Sequence, residues 1–266
     1  MAQYDEFSNI YDALMDEVDY ESWTEFIIKL FEKSGVTPKN ILDVACGTGN
    51  ISIPLSKAGY NVCGVDISEN MLSIAENKAR THRQNIKFIK QDIRELNINS
   101  TFDAIICACD GINYILKDED LYKTFYGLYR VLKDDGIFIF DISSYYKLKY
   151  ILNNNTFFDE KQGICYCWEN EYDDNTSIIT MRLNFFVPEG ELYYRFEEVH
   201  QQRAYKSEMI LEKLNECGFC GIETYDDFNF KEPDMKSERT FFLAKKLGKQ
   251  DDCGGIYDRY IVKRYK

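Results

Sequence analysis

The chain has 266 residues, of which 45% are hydrophobic and 15% aromatic, enough for a real core and compatible with one α/β domain carrying an insertion. Its formal net charge of -13 disfavours nucleic acid as a partner, because such binding relies on clustered Lys and Arg to neutralise phosphates. The N-terminus has no basic stretch followed by an apolar run, and no apolar stretch is long enough to cross a bilayer, so a cytoplasmic protein without a membrane partner is expected. Nine cysteines, an odd number scattered along the chain, suit reduced thiols. Cys217 and Cys220 form a lone CxxC without a second pair at zinc spacing, so no metal site is expected.

Residues 4–34 are rich in tyrosine and acids. Within them Trp23, Phe26, Ile27, Leu30 and Phe31 recur at helical spacing, which predicts a helix packed on a sheet. Tyr4 and Tyr11 lie outside that stripe and suit either packing or a flap over a ligand. The run from Ile41 to Ala45 then reads as a buried strand that leads into a small-residue turn, Gly47-Thr48-Gly49, and a helix over 50–58. Glycine lacks a Cβ and tolerates positive φ, so such a turn lets backbone approach a ligand closely.

From there the alternation is regular. It predicts a strand over 61–66, a helix over 69–81 with Met71, Leu72, Ala75 and Ala79 on its apolar face, and strands over 86–91 and 102–109. A helix over 119–132, a turn at 134–136 and a strand over 137–142 follow. Strands separated by helices specify a parallel sheet with right-handed crossovers and helices on both faces. The rhythm breaks at Ser143, and residues 155–205 alternate like antiparallel strands, placed so as to form a lid beside a crevice. A helix over 207–217 and strands over 220–226 and 240–245 close the fold, whereas the tail from Gly248 carries no pattern.

Asp66 ends the second strand one βα unit after the glycine turn, where a carboxylate can accept both hydroxyls of a ribose. An adenosine-like ligand follows. A nicotinamide dinucleotide would call for a third glycine where this chain has Ser52. Asp92, followed by Ile93 at the end of the third strand, instead offers a carboxylate and a backbone amide to an adenine edge.

These strand ends taken together, Asp43 to Gly49, Val65-Asp66, Gln91-Asp92-Ile93 and Phe102 to Asp110, resemble the successive motifs of the class I S-adenosylmethionine-dependent methyltransferases over about residues 36–246. The opening Tyr11, Tyr20 and Trp23 are similar to a small-molecule subgroup that includes sugar N-methyltransferases. The resemblance implies an α/β fold with a Rossmann-like sheet of seven strands, the last antiparallel, and S-adenosyl-L-methionine as cofactor. It places the methionine part at Gly47 and Gly49 with Tyr11, the ribose on Asp66, the adenine face on Met71 and the adenine edge on Asp92 and Ile93. Trp23, Asp43, Ala45, Cys46, Ile67, Gln91, Cys109 and Asp110 complete the implied cofactor set, with Ala45 standing where many members have glycine. The domains implied are an N-terminal helical flap at 1–35, a cofactor-binding core at 36–143 and 206–246, a β insertion serving as substrate lid at 144–205, and a tail at 247–266.

The acceptor implied is N or O of a small molecule, an amino sugar or another amine among them. A nucleic-acid base is disfavoured by the lack of an Asp-Pro-Pro-Tyr-like segment after the fourth strand and of a Pro-Cys nucleophile, as well as by charge. Methyl transfer needs mainly an oriented acceptor in the right protonation state. Tyr114, after the fourth strand, and His200, in the lid, are the candidate catalytic residues, although each is also compatible with a structural role. Arg203 suits either an acidic substrate group or an ion pair with Glu197 or Glu198. An NAD(P)-dependent oxidoreductase and a non-catalytic S-adenosylmethionine-binding protein are the alternatives.

Overall fold

The computed structural model describes residues 7–248; Tyr4 and the tail beyond Gly248 lie outside these residues. The tyrosine-rich opening forms two helices, α1 (Ser8–Leu14) and α2 (Tyr20–Ser34). The carboxylate of Asp19 caps α2 by accepting from the Ser22 N–H at 2.9 Å, and Gly35, at φ 77°, ends it in the left-handed conformation. Trp23, Phe26, Ile27, Leu30 and Phe31, the predicted stripe, are all buried.

The αβ alternation continues as β1 (Asn40–Val44), α3 (Ser52–Lys57), β2 (Asn61–Asp66), α4 (Glu69–Thr81) and β3 (Lys87–Lys90). After them come β4 (Phe102–Cys107), α5 (Asp118–Val131) and β5 (Leu132–Ser143). The expected helix over 50–58 is shorter: the Ile53 N–H reaches the Gly49 carbonyl, but Pro54 has no N–H to give the Asn50 carbonyl, and the regular helix starts at Ser52. The expected turn at 134–136 lies within β5: Leu132 pairs with Phe102, Asp135 adopts φ 62°, and pairing resumes at Ile137 opposite Ala104.

After an insertion of four strands, α6 (Ser207–Glu216) leads to two final strands of the main sheet, over Cys220–Asp226 and Arg239–Lys245. The insertion strands are β6 (Thr156–Lys161), β7 (Ile164–Asp173), β8 (Ile178–Glu189) and β9 (Leu192–Arg203), so the final two are β10 and β11. The main sheet has seven strands in the order β10, β11, β5, β4, β1, β2, β3. β1 is parallel to both β2 and β4, while β11 is antiparallel to both β5 and β10. Strand order reverses at β1, which opens a crevice beyond the carboxyl ends of β1 and β4, the usual ligand position in an open α/β sheet.

Period-2 alternation sends successive side chains to opposite faces of the sheet. On β11, Phe242 and Ala244 join a cluster with Phe125, Leu128 and Leu214 of α5 and α6. Phe241 and Leu243 join the opposite cluster with Phe26, Ile27 and Leu30 of α2. Both faces are thus covered, and each of these Phe, Leu and Ile side chains contributes about 1.5–3 kcal/mol by leaving water.

β6 to β9 form a separate antiparallel sheet, entered through a π-helical turn, Lys147–Leu152, that the sequence pattern does not announce. Its inner surface packs on α1, where Phe7, Ile10 and Leu14 meet Ile164 and Phe185. α1 therefore lies between the second sheet and the crevice. Among the described residues no helix is long and apolar enough to cross a membrane, no cysteine pair is bridged, and no cluster of metal-ligating groups occurs.

Candidate active site

The turn after β1 is built by backbone that few residues tolerate: Ala45, Gly47 and Gly49 all have positive φ, at 54°, 53° and 78°. The Cys46 N–H donates to the Val65 carbonyl at 3.1 Å and the Gly49 N–H to the Cys46 carbonyl at 2.9 Å, which fixes the loop across the ends of β1 and β2. At Gly47 a Cβ would meet nothing within 4 Å, so this backbone faces open space. Beneath the loop, buried Asp43 accepts from the Ser52 hydroxyl at 2.5 Å. Burial raises the Asp43 carboxyl to about 7, the Ser52 hydroxyl opposing and the neighbouring Asp66 adding to the rise.

That open space is a cavity of about 240 Å³ whose lining includes Asp43, Ala45, Cys46, Gly47, Asp66 and Met71. Asp66 accepts from the Gly47 N–H and the Ser68 N–H, both at 2.8 Å, so the two strand ends are joined through one carboxylate. Burial raises the Asp66 pKa, against the backbone amides that hold its charge. Ile67, Gln91, Asp92 and Ile93 line the same cavity. The Arg94 guanidinium grips both Asp92 oxygens, with Nε at 2.9 Å from each, and holds that carboxyl below its ordinary range.

This donor and acceptor set fits the cofactor that the resemblance implies. Asp66 is placed for vicinal hydroxyls, Ile67, Met71 and Ile93 for a flat apolar ring, and the uncovered Gly47 backbone for a close tail. Tyr11 and Tyr20 close the cavity from the helical N-terminus. Burial raises both phenol pKa values, most at Tyr11, where neighbouring Tyr20 and Cys109 reinforce it, so both hydroxyls remain protonated.

Asp12 latches α1 to the glycine turn. It accepts from the Thr48 hydroxyl at 2.7 Å and the Asn50 amide at 3.1 Å, and pairs with Lys78 of α4 at 2.7 Å. Lys78 also donates to Asn50 and to Thr48. None of Asp12, Thr48, Asn50 and Lys78 stood out as a site residue in the sequence, since the set joins only in three dimensions; an Asp directly after Tyr11 was the one readable sign.

The far end of the cavity is formed by Cys109, Gly111, Tyr114 and Ile115, on and around a 3-10 turn (Gly111–Tyr114). Fully buried Asn113 fastens this turn, donating to the Ser143 and Arg203 carbonyls at 3.0 and 2.9 Å and accepting from the Ser143 N–H at 2.9 Å. A Cβ on Gly111 would lie 3.0 Å from the Ala45 Cβ. The Ala45 side chain, unusual for the motif, is therefore accommodated because its neighbour has none.

Four predicted site residues stand apart from the cavity lining. Trp23 is buried against Phe228 and Phe241 with Arg239 stacked 4.8 Å over its ring, a packing role that its helical stripe already implied. Gly49 serves packing, since a Cβ there would approach Ala75 at 3.3 Å and Phe88 at 3.4 Å. Asp110 turns away from the lining to accept from Arg239 at 2.9 Å and Gln202 at 2.8 Å. Although burial opposes its charge, those two partners hold Asp110 below the ordinary carboxyl range. Buried Asp141 receives the Cys109 and Asp110 N–H groups at 2.8 and 3.0 Å and also pairs with Arg239. Burial raises Asp141 to about 6 despite that arginine. An acid within the apolar run of β5 was the signal available for it.

His200 is the fourth. It sits behind Tyr114, with Nδ1 3.4 Å from the Tyr114 hydroxyl and Nε2 2.9 Å from Glu198. Arg203 pairs with Asp118 at 2.5 Å and covers the Tyr205 ring, whereas Glu197 pairs with Arg195. Neither acid expected for Arg203 is its partner: Glu198 faces the other side of β9, and Glu197, though on the same side, lies six residues, about 20 Å of extended chain, away.

A family model described as a methyltransferase domain matches residues 41–136. The chain is 39% identical to the putative methyltransferase YqeM of Bacillus subtilis (strain 168), over 91% of this chain and 97% of that protein. It is 33% identical to a glycine/sarcosine N-methyltransferase of Aphanothece halophytica, over 77% of this chain and 74% of that one. Among solved structures, an S-adenosylmethionine-dependent methyltransferase from Clostridium acetobutylicum ATCC 824 superposes with a TM-score of 0.84 and 41% identity, covering 92% of this chain and 99% of that chain.

Proposed function

The chain belongs to the class I S-adenosylmethionine-dependent methyltransferases, and from that premise we propose that it methylates the nitrogen of a small-molecule amine in the cytoplasm. When bound, the cofactor supplies a methyl group made electrophilic by its sulfonium. The oxidoreductase and the non-catalytic alternatives give way to this family.

In this reading Asp66 holds the ribose hydroxyls, Asp92 and Ile93 the adenine edge, Met71 and Ile67 its faces, and the Gly47 backbone with Tyr11 the methionine end. Cys46, Gln91 and Cys109 shape the walls, with Asp43 supporting the loop. The second sheet and α1 serve as the lid that excludes water and aligns the acceptor, which is the main demand of this chemistry.

The observation that carries the amine assignment is the Tyr114 hydroxyl at the far end of the cavity, backed by His200 at 3.4 Å. An amine must attack as the neutral form and then shed a proton, and a phenol backed by an imidazole offers that proton a path. The Tyr11 and Tyr20 rings beside it suit a cationic product. The glycine/sarcosine N-methyltransferase relative supports the same acceptor element. The net charge of -13 favours a neutral or cationic acceptor over a polyanion.

The test is formation of S-adenosylhomocysteine with a panel of amino acids, amino sugars and simple amines beside matched alcohols, phenols and carboxylic acids. The proposal expects turnover with amines alone. Turnover confined to the oxygen acceptors would refute it.

A further inference from the structure

Glu198 lies two residues before His200 on β9, so both side chains project from the same face of the second sheet. Its Oε2 is 2.9 Å from His200 Nε2, and its Oε1 accepts from the Phe7 N–H at 3.1 Å. Both side chains are withdrawn from water, with exposures of 4% for His200 and 10% for Glu198. The Phe7 ring meets the imidazole edge-on at 5.9 Å and stacks on Phe185 at 5.0 Å, which holds the imidazole plane in place.

We infer that Glu198 is a positioning residue: it fixes His200 in the tautomer that makes Nδ1 the acceptor for the Tyr114 hydroxyl. The inference rests on the reading of Tyr114 and His200 given above. A neutral imidazole carries one donor and one acceptor, and an ionised carboxylate only accepts. The nitrogen facing Glu198 must therefore bear the hydrogen, and the nitrogen facing Tyr114 must not. When an amine nitrogen gains a methyl group it becomes an ammonium, and it can then release a proton to Tyr114 Oη while the phenolic proton moves to Nδ1. The resulting imidazolium keeps Nε2–H directed at the carboxylate, the group that stabilises it.

The same arrangement ties proton handling to cofactor binding. α1 supplies the Phe7 N–H that holds Glu198, and one turn later Tyr11 in the cavity and Asp12 on the glycine turn. A displaced α1 would open the cofactor end and release Glu198 together.

His82 and His200 are the chain's two histidines, so nitrogen-15 NMR of histidine-labelled protein reads this tautomer directly, with no acceptor needed. Spectra are taken at about pH 8.5, above the ordinary imidazole range. His200 is expected as the Nε2–H form in the wild type. In Glu198→Gln the amide oxygen can still accept from Phe7 while the NH2 group faces Nε2, so the tautomer ratio should swing by about tenfold or more toward Nδ1–H. Glu198→Asp should retain the wild-type form and secures the test if the glutamine variant folds poorly. An Nδ1–H form in the wild type, or a ratio unmoved by Glu198→Gln, would overturn the inference. Failure of the amine panel with the tautomer as expected would instead count against the acceptor assignment.

Discussion

Gly111→Ala probes the contact by which the cavity accommodates an alanine in its glycine turn. The new Cβ would stand 2.8 Å from the Cys107 Sγ and 3.0 Å from the Ala45 Cβ, both closer than ordinary contact. Cys107, the last residue of β4, is fully buried, so relief must come from backbone shifts, and overpacking of this kind costs about 1–3 kcal/mol. Ala45→Gly removes one of the two clashes. On its own it also relieves a left-handed residue at φ 54°, worth about 1–2 kcal/mol, against about 0.5–1 kcal/mol for the extra freedom of glycine in the unfolded chain. Ala45→Gly alone should therefore be neutral to slightly stabilising, and the cost of Gly111→Ala should fall by about 1 kcal/mol in its presence. Urea denaturation of the four proteins, followed by far-UV circular dichroism, measures the cycle. An equal cost of Gly111→Ala in both backgrounds would refute the proposed compensation.

Two further outcomes are expected. Asp12→Ala removes the ion pair with Lys78 and both hydrogen bonds to the glycine turn, so S-adenosylhomocysteine should dissociate about tenfold faster in stopped-flow measurements, with an unchanged rate pointing away from α1 as a cover. Asp43, raised to about 7 by burial, binds its proton in the folded chain where the unfolded chain has already lost it near pH 4. Its contribution to stability is thus present at low pH and lost as pH rises from about 4 to about 7, at up to about 1.4 kcal/mol per pH unit. Asp43→Asn should flatten the denaturation profile across that window, and a profile as steep as wild type would contradict the assignment.

Much of the main sheet was legible because its logic is local. The runs Ile41 to Val44 and Ile137 to Ile142 are apolar except for Asp43 and Asp141, as strands buried on both faces nearly are, and the amphipathic stripe of α4 occupies the predicted 69–81. That Asp66 and Asp92 line one cavity was legible for a related reason, since parallel topology forces successive strand ends to one edge. What escaped was long-range and polar. Lys78 reads as an ordinary solvated helix residue until Asp12 arrives from 66 positions away, and the partners of Asp141, Asn113 and His200 likewise come from distant elements. Trp23 and Gly49 have packing contacts of their own. Both belong to recognisable motifs, yet one fills the space under β11 and the other lets α4 and β3 close on the turn.

The central proposition is that the carboxylate holding the Gly47 and Ser68 amides also grips the ribose of the cofactor. Isothermal titration of S-adenosylhomocysteine into the wild type and Asp66→Ala tests it most directly, with thermal melts showing that both are folded. Loss of two hydrogen bonds to a charged acceptor should weaken binding by about a hundredfold or more. Equal affinity in the two proteins, or no binding to the wild type, would contradict the account.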